Sequence, residues 1–238
     1  MHLAFLHAFP LDHSMWDEQR AIAPGRCTTP CLYQLGDSLE DWASRVLDSI
    51  ETHSLIAIGS SVGGSCALEM ARQAPDRIAA LVLVGTKAGH RPEPAARDAY
   101  LDTLHHQGIH GMWPEISGWL GAAAQPEVVE RIESLALSQK TTDLINAVRV
   151  FHSRTDHTEV VAQWKKPLLL MCGDQDPVIT EEKAMALSHL APQAELHVMR
   201  GCGHFMNLER PDEFNQVLAE FVRRVEKQHA DSRANKRD

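Results

Sequence analysis

Five short apolar runs, Leu3–Leu6, Leu55–Ile58, Ile78–Val84, Leu168–Cys172 and the more alternating Leu196–Met199, are separated by segments whose apolar residues recur at a helical period. A run that is apolar at consecutive positions suits a strand buried on both faces, and such strands alternating with helices signal a parallel sheet covered on both sides. With a weak further strand around Arg26–Pro30, the pattern predicts an α/β fold, a doubly wound, mostly parallel sheet of about six strands with helices on both faces. One helix is marked by Leu39, Trp42, Ala43, Val46, Leu47 and Ile50 on a single face, behind an Asp37–Glu40 capping-box pattern. A closing helix carries Phe214, Val217, Leu218, Phe221, Val222 and Val225 after Pro211, a residue favoured in a first helical turn.

The rhythm breaks between about Lys87 and Trp164. That stretch has no convincing buried strand and carries Met112, Trp113, Trp119 and Phe151 in helix-compatible surroundings, so it reads as a helical insertion. The expected organisation is a core of 1–86 and 165–228, a helical cap of 87–164 and a flexible tail of 229–238, whose nearly apolar-free sequence cannot offset its ordering entropy.

At 238 residues and 44% hydrophobic, the chain can bury a substantial core without staples. Its 32 acidic against 23 basic side chains argue against nucleic acid as a partner, because phosphate backbones need clustered cations. Five cysteines, an odd number, argue against a disulfide framework, and Cys27 and Cys31 lack the second ligand pair of a zinc site. No apolar run approaches the roughly 18–20 residues of a membrane span, and the opening segment lacks a basic leader. The expectation is a cytoplasmic protein, a monomer or small homo-oligomer, with no membrane partner.

Gly59-Ser60-Ser61-Val62-Gly63 reads G-x-S-x-G between the Leu55–Ile58 run and a helical segment containing Cys66, Ala67, Met70 and Ala71. A serine on a tight strand-to-helix turn needs small neighbours for close backbone approach, and the helix N-terminus favours developing negative charge. A serine hydroxyl is a weak nucleophile until a base takes its proton, so a histidine and an acid are required elsewhere. Gly173-Asp174-Gln175-Asp176-Pro177 follows one strand and Gly201-Cys202-Gly203-His204-Phe205 follows the last. Both loops fall at the carboxyl edge of the sheet, where open α/β sheets bind ligands. Asp174 and Asp176 are both candidates for the acid.

These segments resemble the α/β-hydrolase family over most of the chain, nearest to its small esterase and enol-lactonase-like group. His7-Ala8-Phe9-Pro10 is similar to the family's oxyanion loop, Gly59–Gly63 to its nucleophile elbow, Gly173–Asp176 to its acid loop, Gly203-His204 to its histidine loop, and Asn207–Phe214 to the helix start that follows. The resemblance implies Ser61 as nucleophile, His204 as general base, Asp176 rather than Asp174 as its orienter, and the backbone N–H groups of Phe9 and Val62 as the oxyanion hole. It implies a cap shaping the pocket, no metal or other cofactor, and a small ester or lactone as substrate; because Leu3–Leu6 already leads into the oxyanion loop, the family's usual N-terminal hairpin is expected to be missing. Ala8 stands where the family usually has Gly, so a positive φ there would cost on the order of 1 kcal/mol. Ser60 should widen the space beside the nucleophile.

Phe9, Trp113, Trp119, Phe151 and Phe205 are the expected pocket walls. His7 reads as loop-shaping, and His105, His106 and His110 as a polar helix face rather than a metal site. The same residues are compatible with thioester hydrolysis, C–C bond hydrolysis or cofactor-free perhydrolysis, and with a ligand-binding receptor on the same scaffold.

Overall fold

The computed structural model describes residues 1–234. Six strands, β1 (His2–Leu6), β2 (Cys27–Thr28), β3 (Leu55–Ser60), β4 (Ile78–Val84), β5 (Leu168–Gly173) and β6 (Ala194–Met199), form one sheet in the order β2-β1-β3-β4-β5-β6. Every neighbouring pair is parallel. β3 and β5 are buried at every position, which is why their sequences are apolar without alternation. β2 has only two residues on the sheet edge, in keeping with the weak pattern around it.

Helix α1 (Leu39–Asp48) precedes β3, and α2 (Val62–Gln73) joins β3 to β4. Four helices lie between β4 and β5: α3 (Pro94–Ser117), α4 (Pro126–Leu137), α5 (Thr141–Ser153) and α6 (Thr158–Gln163). After these come α7 (Glu181–Leu190) between β5 and β6, the short α8 (Met206–Glu209) and α9 (Pro211–Ala234). No helix among the described residues is long and apolar enough to cross a membrane.

The strand order reverses between β1 and β3, since the chain leaves β1 toward β2 on one side and returns to β3 on the other. The loops after these two strands therefore diverge at one crevice, the switch point where such sheets take ligands.

Two local expectations are corrected. The N-cap of α1 is Ser38, not Asp37: Ser38 has extended backbone and its Oγ accepts the Asp41 N–H at 3.0 Å. The segment 229–234, expected as part of a flexible tail, continues α9 to Ala234, while 235–238 lie outside the described residues. The helix is anchored by Glu226, which pairs with the N-terminal ammonium at 3.0 Å and with Arg26 at 2.7 Å. Beyond it, Lys, Gln, Ala and Arg are good helix formers, so extension from an existing helix needs no apolar stripe.

Candidate active site

β3 runs directly into the G-x-S-x-G turn. Ser61 is the N-cap of α2 and holds φ 53°, ψ −116°; among the described non-glycine residues it alone has positive φ. A Cβ costs free energy there, and such a conformation persists only where the surroundings enforce it. Here the Ser61 N–H donates to the Val84 carbonyl at 2.9 Å, and its own carbonyl accepts the Gly64 N–H at 3.0 Å. The flanking glycines are required by close packing: a Cβ on Gly59 would overlap the Gly63 carbonyl, and one on Gly63 would overlap the Leu6 carbonyl at the end of β1.

The loops after β5 and β6 meet beside this turn. His204 Nδ1 donates to Asp176 Oδ2 at 2.7 Å, with both side chains buried. Asp176 Oδ1 accepts the N–H groups of Val178 and Ile179 at 2.8 and 2.9 Å, so the carboxylate is fixed on both sides. Asp174 instead accepts the Gly201 N–H at 2.7 Å and makes no contact with the imidazole. His204 Nε2 is buried without a partner, although His204 and Ser61 line the same cavity.

Glu209, which has no obvious signature in the sequence, fixes the histidine loop. Its nearly buried carboxylate accepts the N–H groups of Gly203 (2.9 Å), Phe205 (3.1 Å) and Gly121 (2.9 Å). Burial raises its pKa, partly opposed by those three N–H groups. The His204 N–H donates to the Trp119 carbonyl at 2.7 Å, so the α3–α4 connection is docked against the histidine from two sides.

The cavity is about 490 Å³. Of the expected walls, Phe9, Trp119 and Phe151 line it, together with Ser61, Val62 and His204. Phe205 does not: it is fully buried, packed against the rings of His204 (5.4 Å between centroids) and Trp119 (6.3 Å). Trp113 does not line it either and packs against the hydrophobic core. Tyr100, Glu115, Ala147, His152, Pro177 and Val178 line the cavity and were not anticipated. Pro177 and Val178 could have been inferred from their place after Asp176; the others come from separate helices and carry no local signal. Tyr100 OH donates to Glu115 Oε1 at 2.7 Å, tying together the two arms of α3, which bends at Gly108.

In the loop after β1, Ala8 lacks positive φ, so the anticipated strain does not arise; its N–H donates to Met15 Sδ at 3.2 Å. His7 is fully buried, accepts the Leu32 N–H on Nε2 at 2.9 Å and donates from Nδ1 to the Ala8 carbonyl at 3.2 Å. Burial lowers its pKa to about 4, partly opposed by its hydrogen bonds. Ser60 is fully buried at the end of β3 and does not line the cavity. The backbone N–H groups of Phe9 and Val62 donate to no other group among the described residues. His105, His106 and His110 are exposed on α3, and no cluster of three or more metal-ligating side chains occurs among the described residues.

Residues 3–217 match the model of the alpha/beta hydrolase family. A pimeloyl-[acyl-carrier protein] methyl ester esterase from Aromatoleum aromaticum is 25% identical, over 93% of this chain and 98% of its own. A 2-hydroxy-6-oxononadienedioate/2-hydroxy-6-oxononatrienedioate hydrolase from Pseudomonas sp is 23% identical, over 76% of this chain and 68% of its own. Among solved structures, a thermophilic esterase from Thermogutta terrifontis superposes with a TM-score of 0.85 at 26% identity, covering 94% of this chain and 90% of that one.

Proposed function

Since the chain belongs to the alpha/beta hydrolase family, with residues 3–217 matching its model, we propose that it is a serine hydrolase acting on small carboxylic esters or lactones. Ser61 is the nucleophile, His204 the general base and then acid, and Asp176 the group that orients the imidazole. One observation carries this reading: His204 and Ser61 line one cavity, and the imidazole keeps Nε2 buried without a partner while Asp176 fixes its other ring nitrogen at 2.7 Å.

His204 Nε2 takes the hydroxyl proton as Ser61 Oγ attacks the ester carbonyl. The carbonyl π electrons move to oxygen, and the oxyanion is received by the Phe9 and Val62 N–H groups, the latter at the positive end of α2. Collapse expels the alcohol, which takes the proton from His204 and leaves an acyl-enzyme on Ser61. Water, deprotonated by the same imidazole, then releases the acid. Asp176 keeps its charge throughout and stabilises the imidazolium. The esterases among the relatives and solved structures support this reading.

The direct test is turnover of p-nitrophenyl acetate and butyrate by the wild-type chain and by Ser61→Ala. The substitution should lower kcat by about three or more orders of magnitude and abolish labelling by a fluorophosphonate probe. Equal turnover by the two proteins removes Ser61 from the mechanism. The C–C bond hydrolases among the relatives favour a second reading, cleavage of a C–C bond beside a carbonyl. A vinylogous 1,5-diketone turned over faster than any ester would establish it.

A further inference from the structure

Behind one wall of the cavity lies a group of cations without counter-ions. Arg154, immediately after α5, is 4% exposed, and its guanidinium lies over the Phe151 ring, 3.8 Å from the centroid. Nη1 donates to the Phe151 carbonyl, whereas Nε and Nη2 are buried with no partner. Those two nitrogens form the side-on fork of the guanidinium, an edge that can take a carboxylate through two parallel hydrogen bonds. A buried charge left this way is costly unless something completes it.

Two further basic side chains lie near enough to feel its charge. Lys87, in the loop after β4, is half-buried, and His152 is a half-buried residue on the cavity wall. Neither forms an ion pair among the described residues. Burial lowers the Arg154 pKa to about 10 and also lowers those of Lys87 and His152, on both of which Arg154 acts further. Arg154, at about 10, remains cationic at neutral pH.

The acids that face this group do not neutralise it by contact. Asp156 is held by the N–H groups of His90 (2.7 Å) and Thr158 (2.8 Å), Glu93 acts at longer range, and Glu115 takes the Tyr100 hydroxyl. In a chain with 32 acidic against 23 basic side chains, cations gathered without an acid in contact point to an anion supplied from outside.

We propose that Arg154 and Lys87 form an anion subsite behind the Phe151–His152 wall, and that the substrate carries a free carboxylate which this subsite receives. Arg154 is not on the cavity surface itself, so a side-chain rotation in that wall admits the carboxylate to its fork. The inference rests on reading the cavity as an ester site and narrows the substrate to half-esters of dicarboxylic acids and lactones bearing an acid group.

The test uses monomethyl half-esters from succinate to suberate, each beside its dimethyl ester, with the wild-type chain, Arg154→Met and Lys87→Met. Methionine keeps an apolar stem for packing, and the half-ester to diester ratio of kcat/KM cancels any general loss of active protein. The best half-ester should exceed its diester by about tenfold in the wild type, and the ratio should fall about tenfold in Arg154→Met and severalfold in Lys87→Met. A wild-type ratio at or below one, or a ratio that survives both substitutions, overturns the proposal.

A second arm needs no turnover: calorimetric titration of Ser61→Ala with glutarate, and with inorganic phosphate. Glutarate should bind, weaken with added salt and lose about tenfold affinity when Arg154→Met is added. Binding of phosphate as tight as glutarate would overturn the assignment to a substrate carboxylate. If neither ester series is hydrolysed while glutarate still binds through Arg154, the hydrolase reading fails and the subsite stands. Hydrolysis of diesters alone, with no glutarate binding, gives the opposite result.

Discussion

The Glu209 carboxylate accepts the Gly203 N–H at 2.9 Å, one residue before His204, and the same oxygen accepts the Gly121 N–H at 2.9 Å. A single oxygen thus joins the histidine loop to the connection between α3 and α4. Glu209→Gln replaces one acceptor oxygen by an NH₂ group, which then faces a backbone N–H. We expect kcat on p-nitrophenyl acetate to fall about tenfold to a hundredfold with little change in KM, and stability to fall by about 2 kcal/mol. Steady-state kinetics with urea unfolding measure both; a raised KM at unchanged kcat would reject a positioning role for Glu209.

Ser61 supplies a contrasting case, because its φ of 53° is unfavourable for a residue with a Cβ. Ser61→Gly should be inactive yet more stable than the wild type by about 1 kcal/mol, seen as a higher urea midpoint at unchanged m-value. A lower midpoint would show that the turn stores no strain.

His7 should make the fold acid-sensitive well above the usual carboxylate range. Its pKa falls from 6.5 to about 4 on folding, chiefly through burial, so the unfolded chain binds more protons between those values. The associated stability is complete above pH 6.5 and is lost as pH falls through that window. Between pH 7 and pH 5 the loss is about 2 kcal/mol. Urea unfolding at the two pH values checks this, and His7→Asn should remove most of the difference; a wild type equally stable at both would refute it.

Glu69 on α2 meets His157 Nε2 at 2.8 Å, with both side chains buried, and is also held by Arg72 and Gln73. Burial pushes its pKa up, but these partners outweigh it and hold the group at about 2. His157→Ala should therefore destabilise by about 2–4 kcal/mol, through a lost charge-assisted bond and a cavity. Thermal unfolding measures it, and a change below about 0.5 kcal/mol would show that Arg72 and Gln73 suffice.

What was legible in the sequence followed from local chemistry. β3 and β5 announce themselves because burial on both faces demands consecutive apolar residues, and the Gly59 to Gly63 turn because nothing larger fits. Asp176 follows Gly173 by three residues and His204 follows Gly203 directly, each past a strand end, which made their loops visible. Glu209 was not visible, because an acid before Arg-Pro reads as surface until three distant N–H groups are seen converging on it. Tyr100 and His152 reach the cavity from different helices, a relation set by packing rather than by spacing. Trp113 and Trp119 illustrate the same limit: both are large and on the inserted stretch, yet only Trp119 reaches the cavity.

The bond from the His204 N–H to the Trp119 carbonyl has a consequence for how such a scaffold can diversify. Selection for a different leaving group or chain length would work on the helices around Trp119, but any shift of that backbone drags the imidazole with it. Variation is therefore cheapest on α5, at Ala147 and Val148, which border the cavity and make no hydrogen bond to the histidine loop among the described residues.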